Sequence, residues 1–213
     1  VDRLRGAEAI FVAGGDQAEY LLAWEGSGVE AELQAAWGRG AAIGGTSAGT
    51  AILGSVVFSA ESGTVYSDEA LADPYNPYMT LEYDFLALPA LAGVVTDTHF
   101  RERDRMGRLV AFVGRAIADG RRTNVLGLGI DEGTALVVDA GGLGTVFGAG
   151  SVYAVLDAGM PQTISPGSAL EYQGLPLHTL TAGDTISLPM GATTVPAGTV
   201  SASGGATVPA IPY

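Results

Sequence analysis

Residues 41–54 read AAIGGTSAGTAILG. Ala41 to Gly44 form a short apolar run of strand type, Gly45 to Gly49 form a turn of small residues, and the chain beyond can continue as a helix. Strand, sharp turn and helix in that order belong to an α/β domain. Gly45-x-Ser47-x-Gly49 is also the pattern of a nucleophile elbow, in which a serine sits on a strained strand-to-helix turn. Small flanking residues let the chain segments approach closely there. Such a turn lifts the Ser47 hydroxyl outward and aims the Ala48 N–H at the same point, which is half of an oxyanion hole. A glycine-rich loop without chemistry has the same composition, so the surroundings must decide.

Working outward, AIFVA (9–13) reads as a buried strand ending at Gly14-Gly15, and VEAELQAAW places Val29, Leu33, Ala36 and Trp37 on one helical stripe. SVVFSAE (55–61) and AGVVTDTHF (92–100) supply two more β-branched runs. DRMGRLVAFVGRAIADG puts Met106, Leu109, Val110, Val113 and Ile117 at helical spacing and stops at Gly120. NVLGLGIDEGTALVVDAGG follows as two strands with a turn. Buried strands alternating with helices predict an α/β domain with a largely parallel sheet. From about residue 140 the texture turns to short β-type runs rich in glycine and threonine, read as a β-rich part of the same domain. The domain is expected over residues 1–188, with 189–213 as a tail or loose edge. The opening VDRLRGAEAIFVAGG reads as a helix end followed at once by a strand. That start predicts earlier strand–helix units, either preceding this sequence or residing on a separate fragment.

The 213 residues are 47% hydrophobic and 15% charged, enough for a sizeable core. No apolar run has the length of a membrane span, so the chain reads as soluble, with cytoplasm and exterior both open. The formal net charge is −13 and all ten basic residues are arginine. That balance argues against nucleic acid as a partner, because phosphate binding relies on a basic face. Cysteine is absent and only His99 and His178 are histidines. Thiol nucleophiles and thiolate or histidine-built metal sites are therefore not expected, and no cofactor is implied.

A serine nucleophile needs an imidazole to take its proton and return it to the leaving group. His99 lies in TDTHF at the carboxyl end of a predicted strand, where open α/β sheets place their ligands. His178, among apolar residues of the β-rich part, reads as structural. Arg101, Arg103, Arg105 and Arg108 follow His99 at the start of a helix, the end whose dipole disfavours cations. A substrate carboxylate gripped by guanidinium forks would explain them there; local pairing with Glu102 and Asp104 is the bland alternative. The acid that orients His99 is expected to be Glu61, with Asp68 and Glu69 as alternatives. Gly14 or Gly15 could complete the oxyanion hole, and Asp131-Glu132 face either a substrate cation or a turn N–H.

FVAGGDQ, GGTSAGTA, TDTHFRERDRMGRL and GLGIDEGTALVV, in this order, resemble the cyanophycinases, part of the serine-peptidase family that also holds the aspartyl dipeptidase peptidase E. The resemblance runs from about residue 8 to residue 157, and more weakly to about residue 188. It implies a doubly wound fold related to class I glutamine amidotransferases and a frequent homodimer. The implied activity is exopeptidase cleavage of cyanophycin, a poly-aspartate carrying arginine on each β-carboxyl, to β-aspartyl-arginine dipeptides. By the same resemblance Ser47 is the nucleophile, His99 its base and Glu61 the acid; the oxyanion donors read from the two turns, Ala48 and Gly15, agree with that mechanism. Gln17, Asp97, Arg103, Arg105 and Arg108 surround the substrate. Two other readings remain: an aspartyl or isoaspartyl dipeptidase acting on short peptides, and a catalytically silent binding module on the same scaffold.

Overall fold

The helical stripe around Leu109 and Val113 becomes α6, Met106–Ala118, against which one face of the main sheet packs. In the computed structural model, which describes residues 1–213, this helix follows α1 (Asp2–Arg5), α2 (Gln17–Trp24), α3 (Gly28–Gly38), α4 (Ala48–Ala51) and α5 (Ser67–Ala72). The early strands are β1 (Ala9–Val12), β2 (Ala42–Gly45), β3 (Val56–Phe58), β4 (Leu81–Tyr83), β5 (Val94–Thr98) and β6 (Leu126–Ile130). Beyond them lie β7 (Thr134–Val138), β8 (Leu143–Gly148), β9 (Val152–Leu156), β10 (Tyr172–Leu180), β11 (Thr185–Ser187), β12 (Gly198–Ser203) and β13 (Ala206–Val208). Eight strands form the main sheet in the order β13-β12-β10-β9-β6-β5-β3-β4; β1 pairs with β2, and β11-β8-β7 form a third sheet.

Strand alternation decides what each face meets. In β5, Val95 packs into the α6 cluster, while Val94 turns to the opposite face with Leu126 and Leu128 of β6. There it meets Val146, Ile186 and Leu188 of the three-stranded sheet and its flank. Val56 and Val57 of β3 split in the same way, Val57 joining Leu21 of α2 and Leu33 of α3. The main sheet is thus covered by helices on one side and by helices and a small sheet on the other.

The architecture is mixed α/β, with one large sheet and added strands. Parallel pairing holds for β1–β2 and β3–β5–β6, the strands that carry the site. The expectation of a largely parallel sheet stops there, because β9, β10, β12 and β13 extend it antiparallel. Parallel neighbours need a long crossover, usually helical, and beyond Ile130 no helix intervenes. A second difference concerns residues 189–213. Of the tail and the loose edge expected there, an edge is found, but a packed one: β13 ends the sheet on that side, and β12 pairs along β10 and buries Val200 and Ala202 completely in the α6 cluster. Their period of two is present in GTVSAS, but low charge and many turn formers obscured it.

The β1–β2 pair lies apart from the main sheet across an apolar groove of about 540 Å³, lined by Ile10, Phe11, Ile43, Leu128, Ile130 and Val137 among others. Phe11 is 70% exposed on this side. No helix is long and apolar enough to cross a membrane.

Candidate active site

The turn after β2 has the geometry that its small residues allow. Ser47 takes φ 53° and ψ −121°, a backbone state that costs a serine about 1–3 kcal/mol unless its surroundings fix it. A Cβ on Gly45 would stand 2.8 Å from the Thr50 nitrogen, and one on Gly49 would stand 2.7 Å from the Ala13 carbonyl oxygen. Only glycine lets β1, β2 and α4 meet this closely. Thr50 Oγ1 donates to Gly45 O at 2.7 Å and Thr96 Oγ1 donates to Thr50 O at 2.9 Å, so the elbow is tied to β5. The Ala48 N–H has no acceptor within the fold. Gly15 shares a cavity with Ser47 and Ala48, and Tyr20 Oη sits 3.2 and 3.1 Å from the Ala13 and Gly14 carbonyls, holding that turn in place.

His99 follows β5 with φ 49°, a second strained non-glycine residue. Its Nε2 lies 2.9 Å from Ser47 Oγ, and its Nδ1 lies 2.6 Å from Glu132 Oε1. A carboxylate can only accept, so Nδ1 carries the proton, and in the neutral ring Nε2 is left to accept from the Ser47 hydroxyl. That tautomer suits a base. Glu132 is held in turn by the loop that bears His99, since its N–H donates to Glu102 Oε1 at 3.1 Å. The neighbouring Asp131 is 6% exposed and accepts from the Arg101 N–H at 3.0 Å and the Ser151 N–H at 3.1 Å. It thereby clamps the His99 loop to the end of β6.

Glu61 does not occupy the position expected of it. It is exposed after β3, where it adds to burial in raising the carboxyl of Glu82. Asp68 is exposed as well, and Glu69 accepts from the Tyr66 N–H at the start of α5. The reason is strand order. β3 and β6 flank β5 on opposite sides, and the imidazole turns Nδ1 toward β6. Chain order alone does not distinguish these sides. The Asp131-Glu132 pair at the end of a strand was the available signal. His178 is structural, its Nδ1 2.8 Å from Val195 O.

The arginines divide into two kinds. Arg108 is 3% exposed and grips Asp97, itself 4% exposed, through Nε at 2.7 Å and Nη2 at 2.6 Å. Arg105 Nη1 donates to Asp97 Oδ1 at 3.1 Å and to Thr98 O at 2.7 Å. The compensating acid is therefore Asp97 rather than Glu102 or Asp104, and its Oδ1 also accepts from the Thr98 N–H at 2.9 Å. Arg103 has no ion-pair partner among the salt bridges of the chain. All three line a cavity of about 260 Å³ with Gly15, Asp16, Gln17, Ser47 and Ala48. Gln17 opens α2 beside Asp16 and is fixed by donating to Phe58 O at 3.3 Å. Three guanidinium groups against two carboxylates give this wall a positive excess in an acidic chain.

Breaking the Asp97–Arg108 pair tests this division. Asp97→Asn keeps the shape but leaves the buried Arg108 and the partly buried Arg105 short of their counter-charge, with an expected loss of about 3–5 kcal/mol of unfolding free energy. Urea denaturation followed by circular dichroism checks it, and a loss below about 1 kcal/mol, the range of an exposed pair, would contradict the assignment.

The sequence profile of peptidase family S51 matches residues 1–146. The chain is 29% identical over 191 residues to the cyanophycinase of Synechococcus elongatus, an alignment covering 87% of this chain and 54% of that protein. Identity is 30% over 190 residues with the cyanophycinase of Trichormus variabilis, covering 87% and 58%. With that of Geminocystis herdmanii it is 31% over 182 residues, covering 83% and 61%. The chain thus spans little more than half the length of these relatives. Among solved structures, a peptidase from an acI-B1 Actinobacterium superposes with a TM-score of 0.53 at 21% identity, covering 88% of this chain and 62% of that one, a likeness of fold.

Proposed function

The chain belongs to peptidase family S51, and we propose that it is a serine hydrolase cleaving cyanophycin to β-aspartyl-arginine dipeptides, with Ser47, His99 and Glu132 as its triad. The observation that carries this reading is the unbroken relay of 2.9 Å from Ser47 Oγ to Nε2 and 2.6 Å from Nδ1 to Glu132. As Ser47 Oγ attacks the scissile carbonyl carbon, its proton passes to Nε2 and the carbonyl π pair moves onto oxygen. The Ala48 and Gly15 N–H groups receive that oxyanion. Collapse of the tetrahedral intermediate breaks the C–N bond, and Nε2 protonates the departing amine. Water, deprotonated by the same nitrogen, then releases the acyl group and restores Ser47. Glu132 keeps the imidazole in the productive tautomer and stabilises its cation.

Arg103 and Arg105 give the pocket its preference for a carboxylate, as an aspartyl substrate presents; Asp97, itself gripped by Arg108, holds Arg105 in place. Burial, opposed by Asp97 and reinforced by Arg108 and Arg103, brings Arg105 down to about 10. A lowered base stays charged below that value and loses its proton as the pH rises through it. KM should therefore be flat through the neutral range and climb as the pH passes about 10. The climb should vanish in Arg105→Gln, whose KM is already high. A parental KM in Arg105→Gln at neutral pH would contradict the role of Arg105.

Side-by-side assays on cyanophycin and on α- and β-aspartyl dipeptides test the substrate. Release of β-aspartyl-arginine from the polymer supports the proposal; turnover of the dipeptides alone selects the aspartyl dipeptidase; no turnover of either selects the silent module. The apolar groove beside the unpaired edges of β1–β2 supports a further reading, that additional strand–helix units complete the sheet at that place.

A further inference from the structure

Tyr213 reaches the segment between His99 and α6 from the far side of the chain. Its hydroxyl donates to Asp104 Oδ1 at 2.9 Å and accepts from the Met106 N–H at 3.1 Å. The ring packs edge-on against Phe100, with centroids 5.9 Å apart, and against Tyr153 at 5.5 Å. Phe100 is fully buried and directly follows His99, while Asp104 stands between Arg103 and Arg105. One side chain therefore touches both ends of the stretch that bears the imidazole and the cavity-lining guanidinium groups of Arg103 and Arg105.

That stretch needs outside support. Asp104 has φ 48°, and like His99 it holds a conformation that an L side chain seldom adopts. Met106 is the first residue of α6, and the N-cap Arg105 offers no side-chain acceptor. The first N–H of the helix would be open without Tyr213. Ser67 Oγ also bonds to the Asp104 carbonyl, so the peptide is pinned from two directions. Tyr153 Oη lies 3.4 Å from Asp131, which connects the same aromatic group to the clamp beside Glu132.

We propose that Tyr213 is a positioning residue of the hydrolytic site: its hydroxyl holds residues 99–105 in the conformation where Nε2 meets Ser47 and Arg103 and Arg105 face the cavity. This rests on the serine-hydrolase reading above. Tyr213→Phe keeps the ring and removes both hydrogen bonds. At a temperature well below unfolding, kcat on cyanophycin should fall about tenfold and KM rise several-fold. Amide hydrogen exchange of Arg103 to Met106 should quicken, while that of the central turns of α6 stays as in the parent. Asp104→Ala, which leaves the Met106 bond, should give part of these changes, Asp104→Asn should largely rescue them by restoring an acceptor, and the double variant Tyr213→Phe/Asp104→Ala should lose less than the sum of the two single ones.

A tyrosine that only stabilises the fold would lower the melting temperature and quicken at most the Met106 amide that it caps, leaving kcat, KM and the exchange of residues 103–105 at parental values. That result overturns the proposal. Additive losses in the double variant would overturn it too. Lack of turnover by the parent protein is a separate outcome, refuting the hydrolase reading, and the exchange measurement distinguishes the two because it needs no activity.

Discussion

Replacing Ser47 by alanine is expected to lower dipeptide release by about 10⁴-fold or more while leaving the fold intact. The Ser47 hydroxyl bonds only to His99, so removing it takes away the nucleophile and no structural support. Residual activity would come from the oxyanion donors and the arginine pocket, which act on the same bond without a covalent step. The melting temperature should stay close to that of the parent, since alanine inherits the same strained φ of 53°. Circular dichroism melts alongside the release assay keep loss of chemistry apart from loss of fold. Retained turnover in this variant would end the assignment.

The second large effect belongs to Glu132. Glu132→Gln puts an amide beside Nδ1 that can donate as well as accept. The ring can then carry its proton on Nε2, which leaves no base facing Ser47. A fall of about 10²- to 10⁴-fold in kcat is expected, with little change in KM. Glu61→Gln should behave as the parent within about twofold, because an exposed carboxylate away from the reacting atoms falls among the near-neutral surface changes. The opposite ranking would restore Glu61 and refute the geometric assignment. Glu132 is more than half exposed while Nδ1 lies only 2.6 Å away. Its contribution is therefore to orientation in the resting enzyme and to the imidazolium during the reaction, not to stability.

What could be read from the sequence follows the physics of each signal. The elbow was legible because steric crowding leaves so few residue types at positions 45 and 49, and His99 because an imidazole closes a strand that leads into an arginine cluster. The helical stripe of α6 was legible because every residue of it is buried in one cluster. Pairing across the sheet was not, since whether β3 or β6 lies nearer the imidazole depends on strand order, which no local pattern encodes. The same gap hid the partner of Arg108: Asp97 is eleven positions away and meets it only because β5 and α6 pack together. Strands β12 and β13 were missed for another reason. β12 is buried through its pairing with β10 and β13 adds only to the edge of β12, while the composition of both reads as loop. Tyr213 carries no sequence signal, for its partners lie more than a hundred residues away.

The central claim is that Ser47 is a nucleophile activated by His99. Its most direct measurement is mass-spectrometric mapping of the protein after exposure to a serine-directed fluorophosphonate. A single adduct on Ser47 is expected in the parent, forming about 10³-fold or more slowly in His99→Ala. An unmodified Ser47, or an adduct that forms equally fast without the imidazole, would contradict it.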